Sequence, residues 1–248
     1  HDGLWDVYND YHMGNAGELC ARELRFSREE QDAFARESYR RAMEAQQQGR
    51  FASEIVPVAV PQKKGESTWV DSDEEPGRGK PDKFGTLRPA FDKNGTITAA
   101  NASSINDGGA ALILASADAV KAHGLTPLAR LAGSATHAQA PEWFTTAPAK
   151  AISKALARRG LRAADVDLYE INEAFAVVAL AAIRELELDA DKVNVHGGAV
   201  ALGHPIGASG ARLVITLLSA LQQRQVERGL ASLCIGGGEA VAAIFERV

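Results

Sequence analysis

Cysteine is nearly absent from this chain: Cys20 and Cys234 are the only two in 248 residues. Two thiols cannot build a disulfide framework or a structural zinc site made mainly of thiolates, and such usage fits a reducing compartment. A cytoplasmic location with no bound metal is therefore expected. Long apolar runs are also missing. None reaches the roughly 18 residues that a membrane-crossing helix needs, so no membrane partner is expected. No signal-peptide pattern opens the chain, which begins His1-Asp2-Gly3 rather than with Met, as a processed form or a fragment would. Positive charge is not in excess either: the net charge of -5 gives no electrostatic reason to expect nucleic acid. The remaining composition is that of a soluble globular protein, long enough for one large domain or two ordinary ones.

Glycine is plentiful and concentrated. Val195 to Gly210 holds Gly197, Gly198, Gly203, Gly207 and Gly210 around a His204-Pro205 pair. Glycines this dense let backbone approach backbone, or a ligand, where a Cβ would collide. Cys234 stands before a second such turn, Gly236-Gly237-Gly238, and Asn172-Glu173-Ala174-Phe175 marks a strand-to-helix junction. Each piece alone reads as a tight turn. Together, an imidazole, a thiol and a carboxamide on three turns point to one active site.

The rest of the chain supplies a scaffold. Ser27 and Glu30 read as a capping box opening a helix to about Gln48, stopped at Gly49, with Phe34, Tyr39, Ala42 and Met43 on its buried side. Ile55 to Val60 reads as a short strand, edged or bulged by Pro57. Residues 61–94 form a polar excursion, more loop than core. Its Asp71 to Glu75 acids lack the glycine of a calcium loop, since Pro76 stands there. Asn94-Gly95 signals a type I′ hairpin. From about residue 106 strands and helices alternate. Ala110–Ala115 and Val166–Ile171 read as strands, as does a segment from Leu128, and Leu230–Ile235 pairs with Val241–Phe245. Thr146, Pro148 and Gly160 bracket one helix. Ala174–Leu188 and Ala208–Gln225 form two more, the last nearly apolar all round and so expected between layers. The pattern is α/β, with helices packed on a mixed five-stranded sheet behind an irregular α+β segment. The boundary falls between residues 1–105 and 106–248.

A thiol facing a glycine turn can act as nucleophile or general base, provided positive charge or backbone N–H groups lower its pKa from about 8.5. Gly236 and its neighbours offer N–H groups for an oxyanion hole. His204, on a stiff turn, can take a proton or donate a hydrogen bond. Asn172 can hold a water or an oxyanion. The bland readings are a satisfied core histidine and a small buried thiol. Gly203, Gly207 and Gly210 lack the dinucleotide-binding spacing, and no Gly-Lys-Ser/Thr is present. Gly207-Ala208-Ser209-Gly210 loosely suggests a serine nucleophile elbow, but Pro205 stands where a strand should lead in.

These motifs resemble those of the thiolases. The Asn172-Glu173-Ala174-Phe175 turn, the Gly203 to Gly210 segment and Cys234-Ile235-Gly236-Gly237-Gly238 are similar to that family's three C-terminal motifs. Asn101-Ala102-Ser103 with Asn106-Asp107-Gly108 is similar to its coenzyme A segment. Leu87 to Phe91 and Asn9 to Gly14 are also family-like. The resemblance implies a thiolase-like fold: the C-terminal half of its duplicated core behind a loop domain that contributes to the coenzyme A site. It implies acetyl transfer between coenzyme A thioesters, with coenzyme A as substrate or product and no separate cofactor, in a homodimer or homotetramer.

By resemblance, His204 activates the nucleophilic cysteine and, with a water on Asn172, forms one oxyanion hole. Cys234 is the acid/base, and Gly236 gives an N–H to a second oxyanion hole. Leu4, His12, Met13, Ala99, Ser103, Ala174 and Phe175 line the pantetheine and acyl channel, with Met13 limiting its depth. Three departures stand out. The family's nucleophilic cysteine belongs to an N-terminal half not seen here, and Cys20 lacks its glycine setting. Gly17-Glu18-Leu19 replaces a more usual Ala-Glu-Asn. The region near Arg78 aligns poorly, leaving Arg78 and Lys80 as phosphate contacts on charge alone. Ketoacyl synthases carry a histidine where Asn172 stands and lack the second cysteine. The alternative is a catalytically silent module that binds coenzyme A, with the apolar faces of the Ala174 and Ala208 helices partly uncovered.

Overall fold

The computed structural model describes residues 3–248 of the chain. Two short strands, β1 (Trp5–Asp6) and β2 (Tyr11–His12), pair antiparallel and lead into helices α1 (Met13–Glu23) and α2 (Arg28–Gln47). An antiparallel hairpin follows, β3 (Val58–Val60) with β4 (Thr68–Val70), then a single turn, α3 (Glu75–Arg78). The remainder runs α4 (Ala117–His123), β5 (Ala129–Ala138), α5 (Ala147–Arg159), β6 (Leu168–Ile171), α6 (Ala176–Glu185), α7 (Ala199–Leu202), α8 (Ser209–Arg224), β7 (Arg228–Ile235) and β8 (Glu239–Arg247).

The main sheet has four strands in the order β5-β8-β7-β6, antiparallel except for the parallel β7–β6 pair. Successive side chains alternate between its faces. Leu230, Ala242, Ile244, Tyr169 and Ile171 meet Ile152, Ala155 and Leu156 of α5. Leu168, Ala231 and Phe245 meet Leu213, Leu217 and Leu221 of α8 on the other face. The expected fifth strand, Ala110–Ala115, is not formed: Ile113 is 92% and Leu114 84% exposed. An apolar run becomes a strand only where a sheet edge accepts it. The free edge of β6 is already taken, since Asn194 N–H donates to the Tyr169 carbonyl and Asn194 Oδ1 accepts from Ile171 N–H.

α2 carries the predicted capping box. Ser27 Oγ accepts from Glu30 N–H at 3.1 Å and Glu30 Oε2 accepts from Ser27 N–H at 2.7 Å. Its buried stripe is Gln31, Asp32, Ala35, Ser38, Tyr39, Ala42 and Ala45, which leaves Met43 exposed and Phe34 only half-buried. That stripe follows the i, i+3/i+4, i+7 spacing of one helix face, and Met43 falls one residue off it.

Other expectations also shift. The predicted strand at Ile55–Val60 shortens to β3, just past Pro57, and is exposed. Thr146 precedes α5 but caps nothing, because its hydroxyl oxygen accepts from Gln139 Nε2 while its proton goes to the Trp143 carbonyl. Asn94-Gly95 joins no strands, and neither residue has the positive φ of a type I′ turn. Asp92 organises that turn instead, accepting from Asn94 N–H on its side chain and from Gly95 N–H on its carbonyl.

α6 is not left uncovered. α1, α2 and α5 pack around it, and Ala176, Val177, Val178, Ala179, Ala181 and Ala182 are all buried. α8 buries one face on the sheet, while Val214, Ile215 and Leu218 stay half-buried, so it lies on the sheet rather than between two full layers. Removing the α2 cap tests how far this segment depends on local bonds. Ser27→Ala is expected to lower stability by about 1 kcal/mol in a denaturant titration.

Candidate active site

Three chain segments converge at the ends of β6, β7 and α8. Asn172 follows β6, Cys234 lies near the end of β7, and His204 sits in the loop between α7 and α8. The His204 loop is tied down before chemistry is considered. Its N–H donates to the Ser104 carbonyl at 3.0 Å and, at 3.3 Å, to Asn106 Oδ1. Gly203 must be glycine here: its φ is +92°, and a Cβ would sit 2.2 Å from Asn106 Oδ1. Gly238, at φ +88°, has the same requirement, because a Cβ would lie 2.2 Å from the Gln139 carbonyl.

The imidazole of His204 is held at both nitrogens. Nδ1 lies 2.5 Å from Ser209 Oγ, and Nε2 lies 3.3 Å from Asn172 Nδ2. Ser209 gives its single hydroxyl proton to the Pro205 carbonyl at 2.9 Å. The serine oxygen therefore accepts from His204, which places the ring proton on Nδ1. Nε2 is left with its lone pair, and Asn172 presents its NH2 to it. Burial, reinforced by the Arg212 charge, holds the imidazole below the ordinary histidine range, so it is neutral near pH 7. The sequence suggests Ser209 only as a hydrolytic nucleophile. The hydroxyl is buried, committed on both sides, and does not line the cavity onto which His204 opens.

His204, Cys234 and Gly236 open onto one largely apolar cavity of about 330 Å³. Leu4, His12, Met13, Ser103, Ala174 and Phe175 line it as well. Met13 starts α1 against the wall, with His12 as N-cap: His12 Nδ1 accepts from Gly14 N–H at 3.0 Å, and its ring stacks on Phe91 at 4.7 Å. Ser103 donates from both N–H and Oγ to the Ala174 carbonyl, pinning the two walls together. Asn172 is fully buried behind His204 and reaches the cavity only through it. Ala99 is exposed and does not line the cavity, because the turn at Thr98–Asn101 points it away. Arg78 pairs with Glu74 and Glu75, Lys80 is exposed, and neither reaches the cavity.

Cys234 does not behave as the glycine turn suggested. Burial outweighs a backbone hydrogen bond and pushes its thiol up to about 12, so it rests protonated. Cys20 is fully buried in α1, pushed up to about 11 by burial, and lines no part of the cavity. Phe144, Ile105 and Ile206 complete the apolar wall and were not singled out in the sequence. They lie on irregular backbone, where no periodicity marks a buried side.

Behind the site lies a polar core. Glu173 is buried, with its carboxylate accepting from Ser38 Oγ at 2.7 Å, Asn194 Nδ2 at 2.8 Å and Val200 N–H at 3.1 Å. It is a strut for the glycine-rich segment, not a group in the cavity. On the α8 face of the sheet, fully buried Glu170 meets Arg212 Nη1 at 3.3 Å, next to Glu54. Burial pushes Glu170 up to about 8 and Glu54 up to about 7.

The family model for the N-terminal domain of thiolase matches residues 1–118, and that for the C-terminal domain matches residues 125–247. The chain belongs to the thiolase family. Acetyl-CoA acetyltransferase 1 of Arabidopsis thaliana is 53% identical over 99% of this chain, which covers 60% of that protein. The acetyl-CoA acetyltransferase of Thiocystis violacea is 50% identical over the whole chain and 63% of its own length. The chain thus spans a little over three fifths of such thiolases. The solved acetyl-CoA acetyltransferase of Bacillus anthracis superposes with a TM-score of 0.96 at 41% identity, covering 99% of this chain and 62% of that one. The Acat5 thiolase of Ascaris suum, solved with coenzyme A, gives 0.91 at 44% identity, over all of this chain and 63% of that one. The thiolase fold expected from the motifs is the fold observed.

Two measurements test the site's electrostatics. In ¹⁵N NMR of the His204 ring, the Nδ1–H tautomer is expected, and Ser209→Ala is expected to shift the population toward Nε2–H. Glu170 binds its proton more tightly folded than unfolded. Its stabilising effect is full below its ordinary value near 4.5 and is lost as pH rises toward about 8. Glu170→Gln should flatten the decline in denaturation midpoint between pH 5 and 8.

Proposed function

We propose that this chain carries the coenzyme A channel and the acid/base half of an acetyl-CoA acetyltransferase site. Such an enzyme joins two acetyl-CoA molecules into acetoacetyl-CoA and releases coenzyme A, or runs the reverse thiolysis. The observation that carries this reading is the meeting of an unprotonated imidazole nitrogen, a thiol and the Gly236 turn in one apolar cavity. The similarity to proteins named acetyl-CoA acetyltransferase supports it.

His204 Nε2 is suited to take a proton from a thiol brought into the cavity, becoming imidazolium as the thiolate attacks a thioester carbonyl. Afterwards it can hydrogen-bond the oxyanion at that carbonyl. Cys234 takes the complementary role. In thiolysis its thiol protonates the carbanion left when acetoacetyl-CoA is cleaved. In condensation its thiol first gives its proton to the coenzyme A thiolate that leaves on acyl transfer, and the Cys234 thiolate so formed takes the α-proton of the second acetyl-CoA; a thiolate of such high pKa is a strong base for a weak carbon acid. Gly236 stands where its N–H can meet a developing oxyanion.

Cys234 is the only cysteine lining this cavity among the described residues. The proposed acyl-transfer nucleophile is thus a further cysteine, and the 248-residue chain alone acts as a silent coenzyme A-binding module. Incubated with acetyl-CoA, the isolated chain is expected to show no stable acyl adduct by mass spectrometry.

In a full-length thiolase carrying this sequence, Cys234→Ala or His204→Ala should slow thiolysis of acetoacetyl-CoA by roughly 10²-fold or more. Unchanged turnover in either variant defeats the assigned role. Because His204 lies below its ordinary value of 6.5, that activity should persist as pH falls through 6.5 and drop only at more acidic pH.

A further inference from the structure

A second cavity, of about 530 Å³, opens between α2, the Asp191–His196 segment and the last turn of α8. It is lined by four arginines, Arg40, Arg41, Arg50 and Arg224, against two acids, Glu44 and Asp191. The first two arginines are already engaged. Arg40 pairs with Glu37 and Glu44, and Arg41 with Glu37, Asp191 and the carbonyls of Ala190 and Val193. Arg50 donates only from Nε, to Gln48 Oε1 at 3.2 Å, and Arg224 forms no ion pair among the described residues.

Beside these two guanidinium heads, neither held in an ion pair among the described residues, lies His196. It lines the same cavity, is only 7% exposed, and packs edge-on against Phe51 with ring centroids 5.9 Å apart. Its Nδ1 is buried without a hydrogen-bond partner, which leaves Nε2 as the nitrogen that faces the space. Burial and the charges of Arg224 and Arg50 push the imidazole down to about 4, so it stays neutral. Arg224 is itself lowered by burial and by Arg41 and Arg50. Like charges gathered around a concavity repel one another, and a multiply charged oxyanion placed among them adds an attraction to each that offsets the repulsion.

We propose that this cavity binds a phosphorylated small molecule, with its phosphoryl oxygens held by Arg50 and Arg224 and by the Nε2–H of His196. Guanidinium groups suit phosphate oxygens because they can donate in pairs. The volume exceeds what one phosphate group needs and falls in the range of small-molecule sites. No residue of the site assigned to acetyl transfer takes part, so the inference stands apart from that reading.

The test is calorimetric titration of pyrophosphate, and separately of ADP, into the full 248-residue chain at fixed ionic strength. Saturable one-to-one binding is expected. Arg50→Gln and Arg224→Gln should each weaken it at least tenfold with the melting temperature unchanged, and Arg162→Gln, an exposed arginine paired with Asp165 elsewhere, should leave it intact. Binding of ADP with the same dependence identifies a nucleotide's phosphates as the ligand class, and binding of pyrophosphate alone identifies a free inorganic anion. On saturation the NMR titration midpoint of His196 should rise. Absence of saturable binding, equal weakening by Arg162→Gln, or a His196 midpoint that does not move overturns the proposal.

Discussion

A neutral imidazole clamped at both nitrogens governs this structure. Ser209 fixes the proton of His204 on Nδ1 because its own proton is spent on the Pro205 carbonyl, and Asn172 meets the lone pair on Nε2. Each bond decides the next, so the ring has one tautomer and one orientation. Burial keeps it uncharged. A general base at neutral pH needs all three conditions: the right nitrogen unprotonated, a fixed direction and no charge of its own.

The rest of the fold can be understood as what it takes to hold that ring and a thiol at the same wall. β6 and β7 run parallel, so Asn172 and Cys234 emerge at the same end of the sheet. The α7–α8 loop approaches from the side, and only glycine at 203 lets it pass Asn106. Glu173, buried behind the loop, replaces the backbone bonds that an irregular segment cannot make for itself. α1 and α2 then lie over α6 and close the apolar side, with Met13 and Phe175 at the cavity wall.

Much of this was legible in the residues. The capping box at Ser27, the C-cap at Gly160 and the β7–β8 pair follow from local chemistry: a side chain that completes a helix end, a glycine at positive φ, and two apolar runs around a glycine turn. The convergence of His204, Cys234 and Asn172 was legible because chemistry-bearing residues stood on glycine turns. What escaped were outcomes set by neighbours. Ala110–Ala115 has the composition of a strand but pairs with neither edge of the sheet, and Asn194 occupies the edge of β6. Ala99 shares a segment with Ser103 yet faces solvent, because the turn between them rotates the chain. The Ser209 bond to His204 depends on a helix start folding back on its own loop, which no spacing reveals. The raised thiol of Cys234 likewise reflects how completely the site is enclosed.

The most direct test of this account is a crystal structure of the chain with coenzyme A. The account predicts the coenzyme's sulfur in the cavity between the His204 ring and Cys234 Sγ, with the pantetheine arm passing His12, Met13 and Phe175. Coenzyme A bound at any other place, with this cavity left open, would contradict it.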